Sequence, residues 1–181
     1  MPYQTQLVPL AAIITALGTK PEEDTVKQML APWPWCGVLG ELYGSAVESR
    51  FARGLPEVVA WVHGAGEPST VQQSTFAPQR LLELRSRNSA AYKGLYALLM
   101  REGAQDLRTG DPIELQTYFD DSIDILHIFP RKVCEDLGIP PRVYNSVVNK
   151  TALAARTNRV IGGSCPSDHS QQLQRVGSIT Q

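Results

Sequence analysis

Cysteine is scarce in this sequence, and the three that exist, Cys36, Cys134 and Cys165, are far apart and form no C-x-x-C pair. That spacing argues against a disulfide framework and against a structural zinc site, and leaves three buried or incidental thiols. Long apolar runs are missing too. The opening MPYQTQLVPLAAII also lacks the basic region and small-residue cleavage site of a secretory signal, so a cytoplasmic location is the expectation. No stretch matches G-x-x-x-x-G-K-[ST], and the GGS at Gly162 to Ser164 is too short to cradle a phosphate chain. Nucleotide hydrolysis by this chain alone is not expected. Histidine is rare, with His63, His127 and His169, and the first and last sit beside glycine-rich or polar turns where surface positions are expected.

Net charge is nearly absent, at −1 for 181 residues, but it is unevenly spread. From Ile125 onward there are seven Lys/Arg against three Asp/Glu, while residues 1 to 124 carry ten against fifteen, so +4 follows −5. A basic excess beside His127 suits a polyanion, although a solvated charged surface gives the same count. With 43% hydrophobic residues the chain has enough apolar side chains for one domain, or a domain and a subdomain.

The first part reads as helices punctuated by glycine and proline. Leu7 to Leu17 is apolar enough for a buried helix, and Pro21 followed by Glu22, Glu23 and Asp24 makes a helix opening. WPWCGVLGELYGSAVESRF places Trp35, Val38, Leu39, Leu42, Ala46 and Phe51 near helical spacing, with Gly54 and Pro56 separating it from PEVVAWV. Pro78 opens PQRLLELR, and Ser89 is the expected N-cap of AAYKGLYALLMRE, which Gly103 ends. Trp33, Trp35 and Trp61 read as core or interface anchors. After RTGDPIEL the β-branched and aromatic content rises. Tyr118 to Pro130 reads as a strand, Arg131 to Leu137 as helical turns closed by Gly138, and GIPPR as loop. SVVNKTALAARTNRVIGG reads as a strand, a turn and a short helix ending at Gly162, with a last helix near Ser167 or Asp168. The plan is α+β, with a helical region over residues 1–115 and a small β-β-α unit over 116–181.

Within that unit His127 is followed by Asn149 and, nine residues on, by Asn158. That order on strand, strand and helix resembles the HNH, or His-Me finger, nucleases. RFARGLPEVVAWV, RNSAAYKGLYALL, DILHIFPRKVC, SVVNKTALAARTNRVIGG and the following PS resemble, from about Pro32 to about Ser167, the C-terminal nuclease half of GmrSD-type modification-dependent restriction enzymes, the SspE-like proteins among them. The resemblance implies a β-β-α-metal finger and a DNA endonuclease or nickase that restricts phage and other foreign DNA. His127 would be the general base, since an imidazole of ordinary basicity accepts a proton near neutral pH. Asn149 would orient that imidazole, and Asn158 would hold one Mg²⁺ or Mn²⁺ through its amide oxygen. Arg131, Lys132, Lys150, Arg156 and Arg159 are the candidate contacts to double-stranded DNA. A nucleotide-hydrolysing, modification-sensing N-terminal domain is the implied partner, and these residues do not include it.

Position 126 departs from the pattern. The family reads Asp, Ile, His, His, Ile, Phe, Pro here, with the first histidine a metal ligand, whereas this chain has Leu126. An isobutyl group has no lone pair, so a metal site impaired by deliberate inactivation or natural decay is expected. Asp124 matches the family's acid and either supports the metal or caps backbone amides at the strand end. Ala152 replaces a usual proline and Cys165 a usual small residue. A rival reading is a catalytically silent module that docks DNA or a partner domain, and Leu126 favours it. Arg85, Arg87, Tyr92 and Lys93 in LRSRNSAAYKG form either a nucleic-acid surface or a solvated helix end.

Overall fold

A single turn of glycine ends the first helix where the sequence says it should. Helix α1, Leu7–Leu17, stops at Gly18, whose φ of 62° lies in the left-handed region. The computed structural model describes residues 2–45, 47–113 and 123–168. These residues are mostly helical, with a small antiparallel two-stranded sheet in the C-terminal part and helices flanking it. The chain divides into two compact units, Met1–Ala77 with Asn88–Gly94, and Pro78–Arg87 with Leu95–Gln181. Residues 116–181 all fall in the second unit, which also takes in 78–87 and 95–115.

In the first unit, Pro9, Ile13 and Leu17 recur every four residues and form the buried stripe of α1. Leu7, Val8 and Ile14 are exposed, so this helix is buried along one side rather than all round, as its composition suggested. Helices α2, Asp24–Leu30, and α3, Pro32–Leu39, follow, and α4 runs over Val47–Val62. Gly40 and Glu41, the latter at φ 52°, break the run that spacing alone would continue from Trp35 to Phe51. Gly54 and Pro56 do not interrupt α4, contrary to expectation. Proline removes one backbone donor there, while Gly54 and Val58 of the same helix are buried, and the burial outweighs the lost bond. Ile13, Leu17, Val26, Leu30, Trp33, Tyr43 and Val58 form the core. Tyr43 sits edge-on to Tyr3 and Trp33 at centroid distances of 6.2 and 6.3 Å, and tilted against Phe51 at 5.9 Å. Helix α5, Ser69–Gln72, is tied to α4 through Glu57, whose carboxylate accepts from the Ser69 amide and hydroxyl at 2.7 and 2.6 Å.

Helix α6, Ala90–Arg101, begins as the sequence predicts, with the Ser89 hydroxyl accepting from the Tyr92 amide at 3.2 Å, and it is followed by Gly103 at φ 84°. In the second unit, strands β1, Ile123–His127, and β2, Lys150–Ala154, pair antiparallel from Ile123 opposite Ala154 to His127 opposite Lys150. The first part of the expected strand, residues 118–122, lies outside the described residues, as does His169. Between the strands come α7, Arg131–Asp136, then Gly138 at φ 69°, and α8, Pro141–Tyr144. GIPPR is thus not all loop, because Pro141 occupies the first helical position, where its fixed φ helps. Helix α9, Ala155–Ile161, follows β2 without the expected turn and packs on both strands. It ends at Gly162, φ 59°.

Candidate functional site

Antiparallel partners share a face, and faces alternate along a strand. The register therefore groups Asp124 and Leu126 with Thr151 and Leu153, and groups Ile125 and His127 with Lys150 and Ala152 on the other face. On the first face α9 brings Asn158 to the strand, its amide nitrogen donating to the Asp124 carboxylate at 2.8 Å. The two residues expected at a metal thus meet. A carboxylate and an amide oxygen are hard donors of the kind Mg²⁺ prefers. Leu126 adds none, so the set is one ligand short of the one that the resemblance implies. Among the described residues no group of three or more His, Cys, Asp or Glu is placed to hold a metal.

His127, the last residue of β1, precedes a bend at Ile128 and Phe129. Its Nε2 lies 3.1 Å from Oδ1 of Asn145. An amide oxygen only accepts, so this bond needs the proton on Nε2 and leaves the lone pair on Nδ1. Asn149, expected to orient the imidazole, bonds backbone instead. Its Oδ1 accepts from the Phe129 amide at 2.9 Å, and its Nδ2 donates to the Phe129 and Tyr144 carbonyls, both at 3.0 Å. These bonds pin the bend after His127 and the residue before Asn145, so Asn149 sets the pair from behind. The Ile128 amide adds a bond to the Asn149 carbonyl at 2.9 Å. Asn145 escaped the sequence reading. The available signal was its place four residues before Asn149, at the end of the short helix that Pro141 opens.

Asp106 was also missed. Its buried carboxylate accepts from the Arg108 and Thr109 amides, the Thr109 hydroxyl, the Thr157 hydroxyl at 2.8 Å and the Ala154 amide at 2.9 Å. Burial pushes its pKa up, but the hydrogen bonds from Ala154, Arg108, Thr157 and Thr109 together outweigh it and hold the carboxyl below its ordinary value. The charge fixes the start of α9, three residues before it delivers Asn158.

The basic candidates separate. Arg131 is committed to Glu135 at 2.7 Å, and Glu135 also accepts from the Tyr144 hydroxyl at 3.0 Å. Lys132, Arg156 and Arg159 are exposed. Lys150 lies across from His127 and donates to the Arg85 carbonyl at 3.2 Å. Burial, then the Arg87 charge, lowers its pKa. In the LRSRNSAAYKG cluster Tyr92 is fully buried, so its ring offers no surface, while Arg85 and Arg87 are exposed.

No family model matches the chain, and no solved structure matches it. It is 27% identical over 161 residues to an uncharacterized protein of Methanocaldococcus jannaschii, a match that covers 86% of this chain and 26% of that protein. The chain spans about a quarter of the length of this relative. Among the described residues no helix is long and apolar enough to cross a membrane.

Proposed function

We propose that the second unit is an HNH-type ββα nuclease unit whose metal site is impaired, the nuclease part of an anti-phage restriction enzyme acting on double-stranded DNA. The observation that carries this reading is the paired arrangement on one small unit: His127 held through Nε2 at the end of β1, and Asn158 of α9 joined to Asp124 of the same strand. His127 takes a proton from the attacking water on Nδ1, the nitrogen that Asn145 leaves free. Asn145 holds the ring, and Asn149 holds the bend that carries it. In a protein with histidine at 126, that histidine with Asp124 and Asn158 would hold one Mg²⁺ or Mn²⁺, which would supply positive charge to polarise the phosphate. A relative more than three times as long fits a unit that works beside other domains, a nucleotide-hydrolysing sensor among them.

Leu126 favours a second reading, in which the unit binds DNA or docks a partner domain without cutting. Plasmid nicking with Mg²⁺ or Mn²⁺ separates the two. The Leu126→His protein is expected to nick, the chain as it stands to nick far less, and Leu126→His combined with His127→Ala not at all. Failure of Leu126→His to nick, with its fold intact, sinks the nuclease reading and leaves the binding module.

A further inference from the structure

Among the described residues, Phe129 carries the only aromatic ring that is more than half exposed, at 52%, while every other one is buried or half-buried. A ring left in water contributes little to the fold. Its backbone is nonetheless tied at both polar groups. The buried Asn149 side chain accepts from the Phe129 amide at 2.9 Å and donates to its carbonyl at 3.0 Å, and the Cys134 thiol donates to the same carbonyl at 3.5 Å. Val148, the neighbour of Asn149, is 47% exposed, so the stretch on the other side of that tie presents a second apolar group. His127 is two residues back, and two residues of chain span about 7 Å at most. After Pro130 come Arg131 and Lys132, both exposed in the first turn of α7, whose acids Glu135 and Asp136 lie in its last turn.

We infer that Phe129, together with Val148, is an apolar wedge that sets its ring against a base step of duplex DNA close to the phosphodiester facing His127. The inference rests on the nuclease reading for the nucleic acid and deepens it by naming how this site meets the bases. Opening a base step for an apolar side chain costs stacking energy, which the contact between ring and bases offsets. The bonds from Asn149 and Cys134 have already fixed the Phe129 backbone, so little further ordering is needed on binding. Two apolar side chains are too few for a protein partner, since a stable protein interface takes about 20–30 residues a side. A basic first turn beside the ring suits a polyanion instead, as Arg131 and Lys132 follow it directly.

The test is fluorescence anisotropy of labelled duplexes titrated with the full chain in EDTA across a salt series, one duplex intact and one with a single mismatched pair. The proteins compared are the unaltered chain, Phe129→Ala, Phe129→Trp, and Leu137→Ala as a control that trims an exposed apolar side chain just past α7. Phe129→Ala is expected to bind about tenfold more weakly at every salt concentration with an unchanged log–log slope, because an apolar contact releases no counterions. Phe129→Trp keeps the affinity, and Leu137→Ala matches the unaltered chain. The unaltered chain prefers the mismatched duplex, whose step is easier to open, and Phe129→Ala loses that preference. Equal affinity of Phe129→Ala overturns the wedge, as does a shallower slope, a Phe129→Trp as weak as Phe129→Ala, or no duplex binding by the unaltered chain. Sedimentation without DNA guards against another occupant: self-association that Phe129→Ala abolishes overturns the assignment in favour of a contact between copies. Nicking by Leu126→His is read separately. If it nicks while binding ignores Phe129, the wedge is wrong and the nuclease reading stands. If binding depends on Phe129 and no variant nicks, the wedge stands as a DNA contact and the nuclease reading falls.

Discussion

The unit that contains Trp33 is held by rings and aliphatic side chains packed on one another, whereas the unit that contains His127 is held around its two strands by polar side chains bonded to backbone. Tyr43 touches Tyr3, Trp33 and Phe51 in the first unit. In the second, Asp106 and Asn149 each bind several groups from separate stretches of chain. A two-stranded sheet has little surface to bury on its own, so its geometry is set by directional bonds. Packing tolerates small shifts with modest loss, while a hydrogen bond fixes both distance and direction. His127 and Asn158 both stand next to residues fixed by the second kind of support.

Removing a ring breaks the first unit. Trp33 is fully buried, and Trp33→Ala should cost about 3–5 kcal/mol from lost burial and the cavity left behind. Urea unfolding followed by circular dichroism checks it, and a loss under 1 kcal/mol would mean that the core collapses around the gap. Removing a charge breaks the second unit with no change of shape. Asp106→Asn turns one acceptor into a donor facing the Ala154 amide or the Thr157 hydroxyl, for roughly 2–3 kcal/mol. Because the folded pKa of Asp106 is depressed, its contribution is present above the unfolded carboxylate value of about 3.9 and is lost as pH falls through the lower folded one. The unaltered chain should therefore lose stability on acidification below about pH 4, and the variant should lose less.

Much of the local structure was legible because it rests on local chemistry. The start and end of α1, the Ser89 cap and the glycine stop after α9 follow from periodicity, capping and left-handed glycines, and a strand was expected across Ile123–His127, although it stops at His127 rather than running on to Pro130. Asp124 and Asn158, the two residues that the resemblance implies at a metal, meet through a hydrogen bond. Pro56 inside α4 was not legible, since burial of the same helix, a tertiary effect, overrode a local rule. Nor was the partner of His127. Spacing identifies an asparagine near a histidine, but whether its amide meets a ring or a carbonyl depends on how the 128–149 connection folds, and that put Asn145 at the ring and Asn149 at the backbone. Asp106 was hidden for the same reason, because the groups it binds at Ala154 and Thr157 lie far along the chain.

The comparison sharpens most when the same chemical change is made at two carboxylates of the second unit. Glu135, like Asp106, has a depressed pKa, held down first by the hydrogen bond from Arg131 and then by that from the Tyr144 hydroxyl. Glu135 and Arg131 are both exposed, so water replaces a lost bond between them and salt screens the charge. Glu135→Gln keeps an oxygen to accept from Tyr144 and loses only the attraction to Arg131. Its unfolding midpoint in urea should match that of the unaltered chain at neutral pH. Since the depressed carboxyl contributes above its unfolded pKa and less as pH falls, the small effect that Glu135 has should also fade on acidification. A Glu135→Gln loss as large as that of Asp106→Asn would mean that the α7–α8 surface, rather than the buried carboxylate at α9, carries the polar order of this unit.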